Sequence, residues 1–170
     1  MNISRNLIYR LRHNPIDLSM SKDGFVSINE ILELYGISLA DLEHIVETND
    51  KQRLAFNDNK TKIRANQGHS IKWIDLGLKS KIPPTILYHG TADIFIKSIM
   101  KNGLLPKKRQ HIHLSIDVDT ATTVGKRHGK HIILEIDCKS MVKDNIKFYL
   151  SDNSVWLVEN IIKPKYLKQI

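Results

Sequence analysis

Cysteine is almost missing from this 170-residue chain, with Cys138 as its one representative. That excludes an intramolecular disulfide and a cysteine-based zinc cluster. Set in Ile-Leu-Glu-Ile-Asp-Cys, the residue reads as a buried, inert thiol at a strand end. Long apolar runs are missing too. The N-terminus has no apolar signal core, and no stretch approaches the ~18 apolar residues of a membrane span. A cytoplasmic protein without a membrane partner is therefore expected. No Gly-x-Gly-x-x-Gly follows a strand and no Walker-type loop is present, which argues against both common nucleotide cradles. The carboxylates show neither paired nor EF-hand spacing, and His111 and His113 have no evident third ligand. No metal site is expected. There is no internal repeat and no low-complexity tract.

What the chain does have is a real core and an excess of positive charge. Hydrophobic residues make up 41%, enough for one mid-sized domain or two small ones. Lys and Arg number 26 against 18 Asp and Glu, a formal charge of +8, and most of the excess lies beyond Ile82. That balance points to a polyanionic partner, nucleic acid first and a membrane surface second.

Read in order, Ile3, Leu7, Ile8 and Leu11 recur at helical spacing, and Pro15 ends that helix, leaving Arg12-His13 at its C-terminus. A short strand over Phe25–Ile28 follows. Ser27 and Glu30 form a capping box for a helix carrying Ile28, Ile31, Leu32 and Leu34, stopped at Gly36. Ser38 opens a third helix with Leu39, Leu42, Ile45 and Val46 on one face. Arg53–Phe56 and Lys62–Ala65 pair across Asn57-Asp58-Asn59-Lys60 as a hairpin. Helices followed by a hairpin make a winged-helix pattern, an analogy of fold only. The basic Lys79–Pro84 segment with its Pro-Pro pair is the candidate linker.

The second half is richer in strands. Leu87–Thr91 is a strand breaking at Gly90. An amphipathic helix over Ala92–Met100 (Ile94, Phe95, Ile99) closes at Asn102-Gly103. Asp119 is the expected cap of a helix running through Arg127-His128 to Gly129. Ile132–Ile136, Phe148–Leu150 and Val155–Val158 read as strands. The most telling stretch is Arg109–Ser115. As a strand it alternates, with Arg109, His111, His113 and Ser115 on one face and Gln110, Ile112 and Leu114, continued by Ile116, on a core face. A guanidinium, two imidazoles and a hydroxyl in line suit an anion or a nucleotide. The class is α+β, with residues 1–82 and 83–170 as its two domains.

The polar chemistry is cationic. Arg12, His13, Arg53, Arg64, Arg109 and Arg127 each adjoin a turn or an element end, and arginine forks bind phosphate bidentately. Asn66-Gln67-Gly68-His69-Ser70 gathers hydrogen-bonding groups around a glycine. His89-Gly90-Thr91 and His113-Leu114-Ser115 are two strand ends, each with a histidine followed by a hydroxyl, suited to a ribose or a pyrophosphate.

These blocks, in this order, resemble the RNA 2′-phosphotransferases of the Tpt1/KptA family. The match runs nearly end to end: Leu11–Pro15, Asp23–Val26, Asp50–Arg53, Ile63–Ser70, Leu87–Thr91, Arg109–Ser115, Val124–Gly129 and Ser154–Leu157. The resemblance implies a winged-helix-like N-terminal lobe and a C-terminal ADP-ribosyltransferase-like lobe built on a split β-sheet, with the active site between them. It implies NAD as co-substrate and RNA with an internal 2′-phosphate, as at a tRNA splice junction, as substrate. The RNA 2′-phosphate attacks the nicotinamide ribose, giving an ADP-ribosylated RNA. Transesterification then releases 2′-OH RNA and ADP-ribose 1″,2″-cyclic phosphate.

On this resemblance the catalytic set falls on Arg12, His13, Arg53 and Arg109, with Arg64 the alternative for the middle arginine. NAD contacts fall on His89, Gly90, Thr91, His113, Leu114, Ser115 and Val155. Asn66, Gln67, His69 and Arg127 are further candidate contacts. A monomer is expected, and His111 has no assigned task. The chain departs from the family pattern in its short, glycine-free Asp17–Lys22 run, in Leu54 for phenylalanine, in Ser154 for glycine and in Val158 for threonine. Two other readings stand beside this one. The first is an NAD-dependent ADP-ribosyltransferase of nucleic-acid ends or small molecules. The second is a non-enzymatic winged-helix nucleic-acid-binding protein.

Overall fold

Each sheet in the computed structural model is small and antiparallel, and helices pack beside them, so the chain is mixed α and β as its pattern predicts. The structure describes residues 2–126 and 130–170. They fall into two compact units, Met1–Leu78 and Lys79–Ile170. Among the described residues no helix is long and apolar enough to cross a membrane.

The first unit is built on α1 (Ile3–His13), which Asn2 caps by accepting the Arg5 N–H at 3.0 Å. Leu7 and Leu11, one turn apart, are fully buried. They meet Val26, Ile31, Leu42, Leu54 and Ile63 in one core. The helix stops at His13 because Asn14, ahead of Pro15, leaves the helical region. Next come β1 (Val26–Ser27), α2 (Ile28–Tyr35), α3 (Leu39–Glu47), β2 (Leu54–Phe56) and β3 (Lys62–Ala65). The sheet order is β1-β3-β2, with Val26 opposite Ile63 and Leu54 opposite Ala65.

Two local expectations fail here. The Ser27/Glu30 capping box does not form. Ser27 makes no side-chain cap bond, and Glu30 instead accepts the Ser19 N–H at 2.7 Å. The capping box lies on α3, between Ser38 and Asp41. Leu34 and Leu39, assigned to apolar faces, are both exposed. Ile28, Ile31 and Leu32 of α2 and Leu42, Ile45 and Val46 of α3 do join the core, so each face is narrower than expected by the one leucine left outside.

The second unit contains β4 (Ile86–Ala92), α4 (Asp93–Asn102), β5 (Ile112–Leu114), α5 (Val118–Gly125), β6 (His131–Asp137), α6 (Cys138–Lys143), β7 (Tyr149–Leu150), β8 (Trp156–Val158) and β9 (Leu167–Gln169). They form two three-stranded sheets, β4-β6-β9 and β5-β8-β7. A bridge ties the sheets, as Tyr88 and Ser115 exchange N–H···O bonds of 2.9 and 2.8 Å. Leu87, Leu134 and Ile136 from one sheet and Leu114, Trp156 and Val158 from the other fill a common core. Gly90 is required by packing. A Cβ there would lie 1.8 Å from the Ala121 carbonyl oxygen of α5.

The structure corrects several boundaries in this unit. The stretch Arg109–Ser115 is extended only over Ile112–Leu114. Arg109 to His111 lie in a bend, and Ile116 is exposed rather than core. Asp117, not Asp119, caps α5, accepting the Thr120 N–H at 2.6 Å. That helix ends at Gly125, and Arg127, His128 and Gly129 lie outside the described residues. On α4, Ile99 is buried while Ile94 and Phe95 are exposed. The Lys79–Pro84 segment is not free chain. Ser80 bridges to Tyr149 and the Lys81 N–H donates to Phe148 O at 2.8 Å. Strand β9, unread in the sequence, completes the first sheet against β6.

Cys138 is fully buried as expected, although it opens α6 instead of ending a strand. Burial pushes its thiol up to about 12, which leaves it protonated and unreactive.

Candidate functional site

In the first unit the helix end and the polar run after β3 come together. Arg12 is a cation that is only 8% exposed, and its guanidinium packs on Gly68. A Cβ at Gly68 would stand 3.3 Å from the Arg12 Cζ and Nε, and the residue has φ +91, so glycine suits both the space and the backbone. The Ser70 N–H donates to the Arg12 carbonyl at 3.0 Å, while His13 Nδ1 and Ser70 Oγ are 3.0 Å apart. Tyr9, one turn back on α1, sets its ring 5.5 Å from that of His13. His69 is buried beside Gly24, where a Cβ would lie 3.5 Å from its Nε2. This loop therefore covers the end of α1 and fixes the Arg12 and His13 side chains.

Arg53 and Arg64 both flank this region but are held differently. Arg53 precedes β2. Its N–H and its guanidinium both donate to Asn49 Oδ1, at 3.0 and 3.3 Å, and the guanidinium also reaches Asp50 at 2.8 Å. That contact holds the Asp50 carboxyl below the usual carboxylate range. Arg64, on β3, lies 4.6 Å from the Phe25 ring centroid and donates to the Asp23 carbonyl at 3.3 Å. An arginine stacked on a ring and bonded to main chain is occupied as a fastener. Arg53 rests on an exposed carboxylate, an anion that another anion can replace.

In the second unit the two histidine motifs sit side by side. His89 Nδ1 lies 3.0 Å from the His113 carbonyl. A carbonyl only accepts, so Nδ1 carries the proton and the neutral ring presents Nε2 as an acceptor. Burial lowers the His89 pKa, opposed by that carbonyl, so the neutral form is the favoured one. Arg109 Nη1 lies 3.3 Å from His113 Nδ1. A guanidinium only donates, so His113 takes the opposite tautomer, with Nε2–H as a donor. Thr91 is buried on β4. The main-chain N–H and C=O of Ser115 are committed to Tyr88, which leaves its hydroxyl for a ligand.

The remaining predicted residues divide. Leu114 is buried in the core, and Gly90 is taken up by the approach of α5. Val155 is half-buried, and its N–H and carbonyl are both held by Ser151. The neighbouring Ser154, where the family pattern has glycine, adopts φ +60, the left-handed region that explains that preference. Asp17, in the shortened loop, does the same at φ +66. Gln67 is half-buried, and Arg127 lies outside the described residues. His111 sits edge-on to Tyr149 at 6.1 Å and 3.8 Å from Glu159; burial lowers its pKa and Glu159 opposes the shift. Its place is structural, beside the β7–β8 edge. Sequence reasoning missed Asn49 and Tyr9. A lone asparagine after a helix and a tyrosine on the exposed face of one carry no pattern that marks them.

Guanidiniums and imidazoles with prescribed protonation, set on a small α+β scaffold, define a protein suited to binding phosphate and hydroxyl groups. Comparison with known proteins narrows this. The model of the RNA 2′-phosphotransferase, Tpt1 / KptA family, matches residues 1–160. A probable RNA 2′-phosphotransferase of Trichormus variabilis is 46% identical over 174 residues, spanning 98% of this chain and 94% of its own. A protein of the same name from Fusobacterium nucleatum is 47% identical over 176 residues, spanning 99% and 97%. The chain belongs to the RNA 2′-phosphotransferase, Tpt1 / KptA family.

Proposed function

We propose that this protein is an NAD-dependent RNA 2′-phosphotransferase that removes an internal 2′-phosphate from RNA. The observation that carries the reading is the family match over residues 1–160, and the groups held around Arg12 and around His89 supply the polar chemistry the reaction needs. The fold supports it in two ways. In the first unit the order helix, strand, helix, helix, strand, strand with sheet order β1-β3-β2 fits a winged helix. In the second, two three-stranded sheets joined at Tyr88 and Ser115 fit a split-sheet ADP-ribosyltransferase lobe.

NAD supplies the ADP-ribosyl group that takes up the phosphate, with nicotinamide, 2′-OH RNA and ADP-ribose 1″,2″-cyclic phosphate as products. The residues present fit that co-substrate. His89 Nε2 is a neutral acceptor for a ribose hydroxyl, while the His113 Nε2–H and the Ser115 hydroxyl offer hydrogen bonds to a ribose or a pyrophosphate. Arg12 and Arg53 bind the RNA 2′-phosphate, and Arg109 neutralises charge as the phosphate is transferred. His13, whose Nδ1 meets Ser70 Oγ, binds the phosphate or moves a proton from its other nitrogen. Because the substrate phosphate is already a nucleophile, Val155 can stand where related transferases need a carboxylate.

An oligonucleotide with one internal 2′-phosphate, incubated with the protein, tests this. A 2′-OH product is expected with NAD and absent without it. No product in the presence of NAD would overturn the reading.

A further inference from the structure

Asn66 makes bonds that a substrate contact would not need. The residue is only 5% exposed, and its Nδ2 donates to the Gln52 carbonyl at 2.6 Å. Its main-chain N–H donates to the Arg53 carbonyl at 2.9 Å. One residue thus holds two consecutive carbonyls of the segment that carries Arg53. The segment needs holding, because Gln52 sits at φ +43, a left-handed conformation that costs a non-glycine residue energy. The amide orientation is fixed by the same contact. A flipped amide would set Oδ1 against the Gln52 oxygen, and Oδ1 has no hydrogen-bond partner among the described residues. From the other side, Asn49 Oδ1 receives both the Arg53 N–H and its guanidinium.

We infer that Asn66 is a positioning residue. It clasps the Gln52–Arg53 main chain and so sets where the Arg53 guanidinium points. This rests on the function proposed above, in which Arg53 binds the RNA phosphate. It moves Asn66 out of the group of candidate substrate contacts and gives it a task that works through another side chain.

The test uses the full chain with Asn66→Ser, and Asn66→Asp should the serine variant not fold. Both lose the amide donor to Gln52. Turnover of a 2′-phosphorylated oligonucleotide with NAD should fall about 100-fold, the scale of a misplaced catalytic group. Combined with Arg53→Ala, Asn66→Ser should cost no more than about twofold beyond Arg53→Ala alone, because both act through one group. Hydrogen exchange should accelerate across residues 49–54 and stay unchanged over α1 and α2. Multiplicative losses in the double variant, or unaltered exchange at 49–54, would overturn the inference. Exchange is read without turnover, so it decides the clasp even where an inactive wild-type protein has refuted the proposed function.

Discussion

The two units fix opposite kinds of side chain. In the first the guanidiniums are immobilised: Arg12 is buried against Gly68, and Arg53 is held by Asn49 and Asp50. In the second the imidazoles are immobilised, His89 by a main-chain carbonyl and His113 by Arg109, while Arg109 itself is exposed. A phosphate needs preset positive charge that does not have to reorganise. A ribose needs neutral donors and acceptors in a defined pattern. The first arrangement suits the phosphate and the second the ribose, so each unit's local chemistry matches one of the two proposed substrates.

The strongest way to break this contrast is at Gly90. Adding a methyl group there drives Cβ into the Ala121 carbonyl, so Gly90→Ala should leave little folded second unit, a loss of more than about 3 kcal/mol. Thermal unfolding followed by circular dichroism reads this directly. Next come the arginines. Arg12→Ala and Arg53→Ala should each lower turnover by about 100- to 1,000-fold, with the melting temperature changed less in Arg53→Ala than in Arg12→Ala. Arg64→Ala should cost turnover less than tenfold while removing about 1 kcal/mol of stability through its ring contact with Phe25. Equal turnover losses at positions 53 and 64 would erase the distinction between the two arginines.

How far the sequence could be read depends on whether a signal is local or comes from distant chain. Helix α1, the hairpin β2–β3 and strand β6 were legible because apolar periodicity, Pro15 and the Asn57–Lys60 turn are local signals. That the His89 and His113 motifs lie side by side was legible because each is a contiguous strand end with the same histidine-to-hydroxyl spacing. What stayed hidden depends on distant chain. Arg109 and His111 leave the strand pattern because β5 pairs with β8 only from Ile112 to Leu114. The packing demand on Gly90 is invisible locally, because it comes from the Ala121 carbonyl of α5. Ser27 carries a capping-box spacing, but Glu30 finds the Ser19 N–H instead.

The smallest expected effect is one of pH. Burial holds His89 and His111 below the ordinary imidazole range. The folded state then prefers both rings neutral, while the unfolded chain takes up protons below about pH 6.5. Stability from this source is complete above that pH and declines as the pH falls through the lowered folded values. The melting temperature should drop by a few degrees between pH 7.5 and 5, and the drop should shrink in a His89→Gln variant. A profile identical in wild type and variant would remove His89 from this account.

The central claim, that a phosphate leaves RNA on ADP-ribose, is tested most directly by following the phosphorus. An oligonucleotide labelled in its internal 2′-phosphate should, with NAD, yield unlabelled 2′-OH RNA and label joined to ADP-ribose. Label appearing as inorganic phosphate, at a rate that NAD does not change, would contradict the account.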